Sequence, residues 1–362
     1  MELYVGLMSG TSLDGVDAVL ADFSAAKPRL LASAHRPFGR QLRDSLLALN
    51  APGDNELERA ALAGNELARE YAFAVSEVLA RAAMAPAEVR AIGCHGQTVR
   101  HRPSAGYTVQ LGNGALLAEL AGIRVVADFR SRDIAAGGQG APLAPAFHAA
   151  VFSDPAEDRA VLNLGGIANL TFLPRSGEVT GFDSGPGNCL LDLWAARHIG
   201  APYDAGGNWA AGAGAIPALL ERLLSEPYFA AAPPKSTGRD LFNEGWLGTA
   251  LKGGEAAQAV QATLLELTAR SVADAIARYC RGAKRLIVCG GGANNHVLTR
   301  RIGELAAAAA LEPSSCHGIE PALVEATAFA WLARQTIEER TASLPSVTGA
   351  RAARVLGAIY PG

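Results

Sequence analysis

The sequence predicts an α/β fold in which two similar halves each form a mixed sheet flanked by helices. Three observations support this prediction. Apolar strand-like runs alternate with long helical runs, which favours sheets that are covered on both faces. The order of a strand meander, a helix, a strand, a helix and a strand occurs twice along the chain. The chain has 362 residues, more than one hydrophobic core usually accommodates, so we expect two domains related by an internal duplication.

The first half begins with a meander and continues with alternating helices and strands. We predict strands at residues 3–8, 16–23, 29–36, 89–94, 107–111 and 124–128, helices at 55–84 and 113–122, and a polar turn at 95–98. Apolar side chains from Leu57 to Leu79 recur at helical spacing, and Asn113 and Gly122 are typical residues for the two ends of a helix. We assign residues 1–133 to the first domain and expect the tail, residues 341–362, to pack back on it.

The second half repeats this order. We predict strands at residues 159–164, 167–173, 179–183, 285–289 and near 314–316, and helices at 188–199, 255–280 and 321–340. The glycine-rich run 135–145 is interpreted as a crossing between the halves, and residues 201–254 as an irregular insertion. The second domain is therefore placed at residues 134–340. Duplicated α/β domains bind ligands between them, so we expect the active site in the cleft between the two domains.

Each predicted meander turns on glycines, at residues 9–15 in the first half and at Gly165-Gly166 in the second. Glycine permits positive φ, and exposed backbone N–H groups beside the hydroxyl side chains of the first turn suit phosphate oxygens. Asp14 and Asp17 offer the oxygen ligands that Mg²⁺ prefers. The first turn joins two strands, so it is neither a Walker loop nor a dinucleotide-binding fingerprint. An ordinary glycine-rich hairpin remains the alternative for this turn taken alone.

Composition excludes several classes of function. The net charge of −3 argues against a surface for nucleic acid or anionic membrane. No apolar run approaches the roughly 20 residues that span a bilayer, and no secretory signal is predicted. The five cysteines are scattered and lack C-x-x-C spacing, which predicts reduced thiols in a cytoplasmic protein and no metal site of protein ligands alone. The apolar second half is compatible with a homodimer.

Seven segments in order carry a resemblance to a known family. They are Gly-Leu-Met-Ser-Gly-Thr-Ser-Leu-Asp-Gly-Val-Asp at 6–17, Gly-Cys-His-Gly-Gln-Thr at 93–98, Ala-Asp-Phe-Arg at 127–130, Asn-Leu-Gly-Gly-Ile-Ala-Asn-Leu-Thr at 163–171, Phe-Asp-Ser-Gly-Pro-Gly-Asn at 182–188, Cys-Gly-Gly-Gly-Ala-Asn-Asn at 289–295 and Glu-Ala-Thr-Ala-Phe-Ala-Trp-Leu at 325–332. The chain resembles the anhydro-N-acetylmuramic acid kinases of the sugar kinase, Hsp70 and actin superfamily. The resemblance implies two actin-like (ribonuclease H-like) domains.

The resemblance also implies a reaction. ATP and water would convert 1,6-anhydro-N-acetylmuramic acid into N-acetylmuramic acid 6-phosphate and ADP, in peptidoglycan recycling and amino-sugar catabolism. Asp183 would be the general base that activates the water. The local sequence supports this role, since Asp183 lies at a predicted strand end among glycines. A turn aspartate without catalytic function is the alternative.

The resemblance implies the binding residues as well. ATP would contact Gly10, Thr11, Ser12, Leu13, Asp14, Gly15, Val16, Asp17, Gly165, Gly166, Gly290, Gly291, Gly292 and Asn294, with Mg²⁺ bound through the ATP phosphates. The sugar would contact Asp14, His95, Gln97, Arg130 and Glu325. Arg130 follows a buried strand and suits the lactyl carboxylate of the sugar.

Each binding assignment has a structural alternative. Arg130 could form a surface ion pair, His95 could be a core histidine, and Glu325 could favour a helix dipole. The triple glycine at 290–292 could serve tight packing alone. Two other functions stay open from sequence: a kinase of the same fold for another sugar or for acetate, and a non-catalytic ATP-binding module.

Overall fold

The structure is a computed structural model that describes residues 1–10, 13–306 and 309–362. It divides into two compact units. The first unit contains residues 1–151 and 323–362, and the second contains residues 152–322. Among the described residues, no helix is both long enough and apolar enough to cross a membrane.

The first unit combines a mixed sheet, a separate hairpin and helices. Its strands are β1 (Leu3–Met8), β2 (Gly15–Asp22), β3 (Arg29–Pro37), β4 (Val89–Cys94), β5 (Gln97–Arg102), β6 (Tyr107–Leu111), β7 (Val125–Ala127) and β13 (Ala358–Tyr360), and its helices are α1 (Arg40–Ala48), α2 (Glu56–Ala82), α3 (Gly114–Ala121), α4 (Ser131–Ala135), α5 (Ala144–Phe152), α13 (Val324–Ile337) and α14 (Pro345–Thr348). The sheet order is β13-β7-β4-β1-β2-β3, and β5 pairs with β6 alone.

The second unit has a shorter sheet and a larger share of helix. Its strands are β8 (Arg159–Leu164), β9 (Ile167–Leu173), β10 (Thr180–Pro186), β11 (Arg285–Cys289) and β12 (Ala310–Pro313), and its helices are α6 (Cys189–Ile199), α7 (Asn208–Ala211), α8 (Pro217–Leu224), α9 (Pro227–Ala230), α10 (Glu244–Ala250), α11 (Ala257–Tyr279) and α12 (His296–Leu305). The sheet order is β10-β9-β8-β11-β12.

The two sheets share one topology. In the first unit, β1, β2 and β3 are antiparallel neighbours, and β4 and β7 continue the sheet from β1 in parallel. In the second unit, β8, β9 and β10 are antiparallel neighbours, and β11 and β12 continue from β8 in parallel. This repeat of order and direction confirms the predicted duplicated α/β fold with mixed sheets flanked by helices.

The division of the chain differs from the sequence-based boundaries at two places. The first unit extends to residue 151 and not to 133, because α5 follows the glycine-rich crossing and belongs to the first unit up to that residue. Helix α13, placed by sequence in the second domain, belongs to the first unit. Its backbone lies directly on β1 and β4, where a Cβ on Gly6 would be 1.9 Å from Ala326 O and one on Gly93 would be 2.0 Å from Phe329 O. The tail does pair with the first sheet, since β13 is antiparallel to β7.

Several local predictions were wrong. Residues 201–254 contain the helices α7 to α10. Apolar side chains of this stretch, such as Leu219, Phe242 and Leu247, are buried in the core of the second unit. The polar run from Gln97 is the strand β5 and not only a turn, since it is paired with β6. The last short strand ends at Pro313, and Ser314–His317 is a 3₁₀ turn. Short helices broken by glycine and proline have too little periodicity for recognition from sequence.

Candidate active site

The turn between β1 and β2 is anchored by a buried serine. Ser9 Oγ forms a hydrogen bond of 2.7 Å with Tyr71 Oη and donates one of 3.1 Å to Gly96 O. Leu13 is buried and has a φ of +57°, a conformation that is strained for a side chain with a Cβ. The predicted phosphate-binding residues Thr11 and Ser12 lie outside the described residues. The described part of the turn is therefore anchored at its first residue, Ser9.

The two carboxylates of this turn have different surroundings. Asp14 is exposed just before β2. Asp17 lies within β2, where its Oδ1 is 2.8 Å from His35 Nδ1, and burial raises the pKa of Asp17. Across residues 1–10, 13–306 and 309–362, no group of three or more histidine, cysteine, aspartate and glutamate side chains could hold a metal ion.

Three of the predicted sugar-binding residues lie beside this turn. Gln97 Nε2 donates to Gly10 O at 3.1 Å, and the Gln97 side chain is buried. The Nδ1 atom of His95 is 3.2 Å from Ser9 O, and its Nε2 atom is 2.9 Å from Arg130 Nη2. The structure thus joins the β1–β2 turn, β4–β5 and the segment after β7 through hydrogen bonds.

Burial and the contact with Arg130 together determine the protonation of His95. Burial, and then the charge of Arg130, lower the pKa of His95 to about 3, so the ring is neutral. Because an arginine N–H only donates, Nε2 accepts from Arg130 and Nδ1 carries the proton that it donates to Ser9 O. Both ring nitrogens are therefore engaged, and in this arrangement His95 orients Arg130.

Arg130 also makes a contact through the other terminal nitrogen of its guanidinium. Its Nη1 donates to Gly140 O at 2.8 Å. Glu325, the remaining candidate, lies in the first turn of α13, and Phe329 of that helix packs against His95 with ring centroids 4.7 Å apart. The helix that carries Glu325 thus also forms a wall of the His95 site.

In the second unit, Asp183 lies on an irregular part of β10. The register with β9 shifts between Asp183 and Gly185, which is a β-bulge. Bulges commonly re-aim a side chain at a functional site. Asp183 is half-buried, and its Oδ2 accepts the backbone N–H of Thr237 at 3.0 Å. The carboxylate is thus aimed by the bulge and oriented by a main-chain donor.

Sequence reasoning gave no role to the residues that surround Asp183. The Asp183 N–H donates to Lys235 O at 3.2 Å, and Tyr228 Oη donates to Asp183 O at 2.7 Å. Lys235 Nζ lies 4.6 Å from the centre of the Tyr228 ring, and burial lowers the pKa of Lys235. The polar run after Pro233-Pro234 was the available signal, but its pairing with β10 is not visible in sequence.

The predicted ATP-binding glycines of the second unit come together at the ends of β8 and β11. The N–H groups of Gly187 and Asn188 donate to Gly166 O and Gly165 O, at 3.0 and 2.9 Å. A Cβ on Gly187 would be 2.3 Å from Gly165 O, so only glycine fits there. The Gly165-Gly166 turn is therefore packed against the start of α6.

The triple glycine after β11 joins the same cluster. Gly290 has a φ of +82°, and a Cβ there would be 2.3 Å from Asn163 Oδ1. A Cβ on Gly292 would be 2.7 Å from Asn188 Nδ2, whereas one on Gly291 would meet nothing within 4 Å. Asn294 is exposed at the end of this turn, just before the residue that caps α12. The turn thus packs tightly on one side and is open on the other.

Comparisons with known proteins agree with these motifs. The family model described as anhydro-N-acetylmuramic acid kinase matches residues 2–362. Proteins of that name from Nitrosospira multiformis and Variovorax paradoxus are 55% and 57% identical to this chain, over 99% of it and over 98% and 99% of their own lengths. The protein of that name from Nitrosomonas europaea is 53% identical, over 99% of both chains.

The duplicated α/β fold, the glycine turns and these matches define the chain as a phosphate-transferring enzyme of the kinase class. Within that class, it belongs to the anhydro-N-acetylmuramic acid kinase family.

Proposed function

We propose that this chain is an ATP-dependent kinase that opens the 1,6-anhydro bond of 1,6-anhydro-N-acetylmuramic acid and phosphorylates the freed 6-oxygen. The products are N-acetylmuramic acid 6-phosphate and ADP. The observation that carries the proposal is the Asp183 carboxylate, which the β10 bulge and the Thr237 N–H hold half-buried in a member of this family.

In the proposed reaction, Asp183 takes a proton from a water molecule as the water oxygen bonds to the anomeric carbon. The bond between that carbon and the 6-oxygen breaks, and the electron pair stays on the 6-oxygen. The 6-oxygen then bonds to the γ-phosphorus of ATP, and the bond from that phosphorus to the bridging oxygen of ADP breaks. A positioned base of this kind supplies roughly 10²–10⁴-fold in rate.

We assign the sugar to residues of the first unit. Arg130 meets the lactyl carboxylate as a charge-assisted pair, because the contacts to His95 and Gly140 fix the plane of its guanidinium. His95 holds Arg130 in this orientation and so contributes to sugar binding through it. Gln97, Asp14 and Glu325 are proposed contacts to the sugar hydroxyl and acetamido groups.

We assign ATP to the glycine turns. The phosphates are proposed to contact residues 10–17 and the turn Gly165-Gly166. The adenosine is proposed to lie against the open side of the turn at Gly291 and Asn294. Mg²⁺ would be held by the phosphates, with the exposed carboxylate of Asp14 as an additional oxygen. Such an ion would neutralise phosphate charge, which phosphoryl transfer requires together with positioning of the reactants.

The substrate is a fragment of peptidoglycan, so the proposed role is in peptidoglycan recycling and amino-sugar catabolism. We propose that the reaction takes place in the cytoplasm, where ATP is available. All five cysteines carry thiols and not disulfides, which suits a reducing compartment. A homodimer remains a prediction.

An assay of ADP release, coupled to NADH oxidation, tests the proposed function. With the anhydro sugar we expect sustained ADP release and a phosphorylated sugar product. Free N-acetylmuramic acid should give little of either, because its 6-oxygen is not released by ring opening. A preference for free N-acetylmuramic acid, another sugar or acetate would identify a different kinase, and slow ADP release without a phosphorylated product would indicate a non-catalytic ATP-binding module.

A further inference from the structure

Helix α4 carries a carboxylate that is shielded from solvent entirely and that the proposed function does not use. Asp133 is 0% exposed. Its Oδ2 accepts the backbone N–H of Gly140 at 2.7 Å, and its Oδ1 accepts the hydroxyl of Thr348 at 2.8 Å. A buried carboxylate is costly unless hydrogen bonds satisfy it, so these two donors are required for its burial.

Asp133 organises the loop that follows its own helix. Its main-chain carbonyl accepts the N–H of Gly138 at 2.9 Å, while its carboxylate binds the N–H of Gly140. A Cβ on Gly138 would lie 2.3 Å from Asp133 Oδ2, and Gly140 has a φ of +67°. The loop 137–140 is therefore wrapped around this carboxylate, and its conformation depends on glycine at these positions.

Gly140 contacts both Asp133 and Arg130. Its N–H donates to the Asp133 carboxylate, and its carbonyl accepts from Arg130. The Gly140 carbonyl accepts Arg130 Nη1 at 2.8 Å. One peptide segment thus connects the buried carboxylate with the guanidinium that we assign to the sugar carboxylate. Displacement of Gly140 would move one of the contacts that orient Arg130, and the contact with His95 would remain.

The C-terminal tail clamps this loop from the other side. Besides the Thr348 hydroxyl on Asp133, the Thr348 carbonyl accepts the N–H of Gln139 at 2.8 Å. The Arg351 N–H donates to Ala136 O at 2.9 Å. Residues 345–351, remote in sequence, are therefore part of the support for the loop 137–140.

We propose that Asp133, braced by Thr348, is a positioning residue that sets the specificity of the sugar site for the lactyl carboxylate by holding Gly140 against Arg130. This inference rests on the proposed function. Asp133 does not touch the sugar. Its removal lowers the affinity for sugars that carry the carboxylate and leaves other sugars and ATP unaffected.

The test compares two sugars in binding and inhibition measurements. One is 1,6-anhydro-N-acetylmuramic acid, and the other is 1,6-anhydro-N-acetylglucosamine, which keeps the anhydro bond and the acetamido group but lacks the lactyl group. The wild type should bind the first more tightly. In Asp133→Ala, which leaves the Gly140 N–H without its acceptor, we expect about tenfold weaker binding of the first sugar, since a hydrogen bond to a charged group is worth about this factor. Binding of the second sugar and the KM for ATP should not change.

Two further variants separate positioning from general damage. In Asp133→Asn, the side-chain oxygen can still accept the Gly140 N–H. The Thr348 hydroxyl can turn to accept from the side-chain amide. Discrimination between the two sugars, lost in Asp133→Ala, should therefore be restored in Asp133→Asn. Thr348→Val removes the hydroxyl that braces Asp133, together with its weaker contacts at Leu344 O and the Ala350 N–H. Discrimination should fall about two- to threefold, a fraction of the effect of one such hydrogen bond. Thr336→Val is the matched control, because the Thr336 hydroxyl also holds the tail but does so at Leu356 O, outside the loop 137–140. It should lower stability and leave discrimination unchanged.

The results distinguish this inference from the proposed function. Absence of ADP release from the wild type with the anhydro sugar would reject the proposed function itself. With an active wild type, equal weakening of both sugars in folded Asp133→Ala, or no weakening, would overturn the positioning role. If Asp133→Ala does not fold, unchanged discrimination in Thr348→Val would overturn it as well. A wild type that does not discriminate between the two sugars would also overturn it.

Discussion

The surroundings of Arg130 in the first unit and of Asp183 in the second differ in what holds the functional group. Arg130 is oriented by a neutral, buried histidine and by a carbonyl that a buried carboxylate fixes in turn. Asp183 is oriented mainly by backbone, through the bulge of β10 and the main chain of residues 235–237. The first arrangement suits recognition of a fixed charge, and the second suits a base that must meet a reacting water.

This difference predicts a division of labour that kinetics can detect. Substitutions around Arg130 should change the KM for the sugar, because they affect a contact that exists in the ground state. Substitutions around Asp183 should change kcat, because proton transfer occurs only in the transition state. The following variants test the division, from the largest expected effect to the smallest.

Asp183→Asn should have the largest effect. Asparagine keeps the shape and can still accept from the Thr237 N–H, but it cannot take the proton from water. We expect kcat to fall about 10²–10⁴-fold with little change in either KM. Steady-state ADP release measures this, and Asp274→Asn, an exposed aspartate on α11, is the control. A variant that phosphorylates the sugar at near wild-type rate would remove Asp183 from the mechanism.

Arg130→Ala should act on the sugar alone. Loss of a charge-assisted hydrogen bond costs roughly 1.5–3 kcal/mol, so the sugar KM should rise about ten- to hundredfold. The KM for ATP should stay the same. The neighbouring Arg132→Ala, an exposed residue of α4, is the control and should behave as wild type. If the KM for ATP rose instead, Arg130 would have to be reassigned to the phosphates.

Tyr228→Phe should have a smaller effect on kcat. It removes the hydrogen bond of 2.7 Å to the Asp183 carbonyl but leaves the ring that packs beside Lys235. A neutral hydrogen bond is worth about 1 kcal/mol, so kcat should fall about fivefold with an unchanged sugar KM. Tyr203→Phe, at an exposed tyrosine, provides the comparison. A change in the sugar KM without a change in kcat would contradict the division between the two sites.

The buried histidines of the first unit should make stability depend on pH. Burial lowers the pKa of His95 and of His148 to about 3, so in the folded state both are neutral. Between pH 6.5 and 3 the unfolded chain binds protons that the folded chain does not, and stability therefore falls as pH falls through this range. Each histidine contributes a slope of about 1.4 kcal/mol per pH unit at most.

Urea unfolding at pH 7.5 and at pH 5 measures this slope. His148→Phe removes one of the two groups at a position away from the residues assigned to the sugar, and its stability should depend less steeply on pH than that of the wild type. An identical slope in the variant would mean that His148 is protonated in the folded state.

The strands next to the glycine turns were predictable from sequence because local pattern decides them. The apolar runs of β1, β8, β9 and β11 are bounded by glycine or by charge, and their predicted ends agree with the structure. Helix α13 was assigned to the wrong unit because its partners, Gly6 and Gly93, are remote from it in sequence. The helix backbone approaches these two residues closely only because glycine has no Cβ. Position along the chain carries no information about such a contact.

The site shows the same limit. Asp183 and Arg130 lie in motifs that could be recognised, and their acidic and basic chemistry indicated their proposed roles. The residues that orient them could not be found in this way, since Thr237 and Gly140 act through main-chain atoms. Asp133 is an ordinary aspartate in sequence, and only its burial distinguishes it.

The most direct test of the central claim is the fate of oxygen from water. The enzyme is incubated with ATP and the anhydro sugar in water enriched in ¹⁸O, and the product is quenched rapidly and analysed by mass spectrometry before and after removal of the phosphate. Unlabelled product kept in the same water for the same time corrects for exchange at the anomeric carbon. We predict one ¹⁸O at the anomeric carbon and none in the phosphate. Label in the phosphate, or a sugar without label, would contradict ring opening by water and phosphorylation of the freed 6-oxygen.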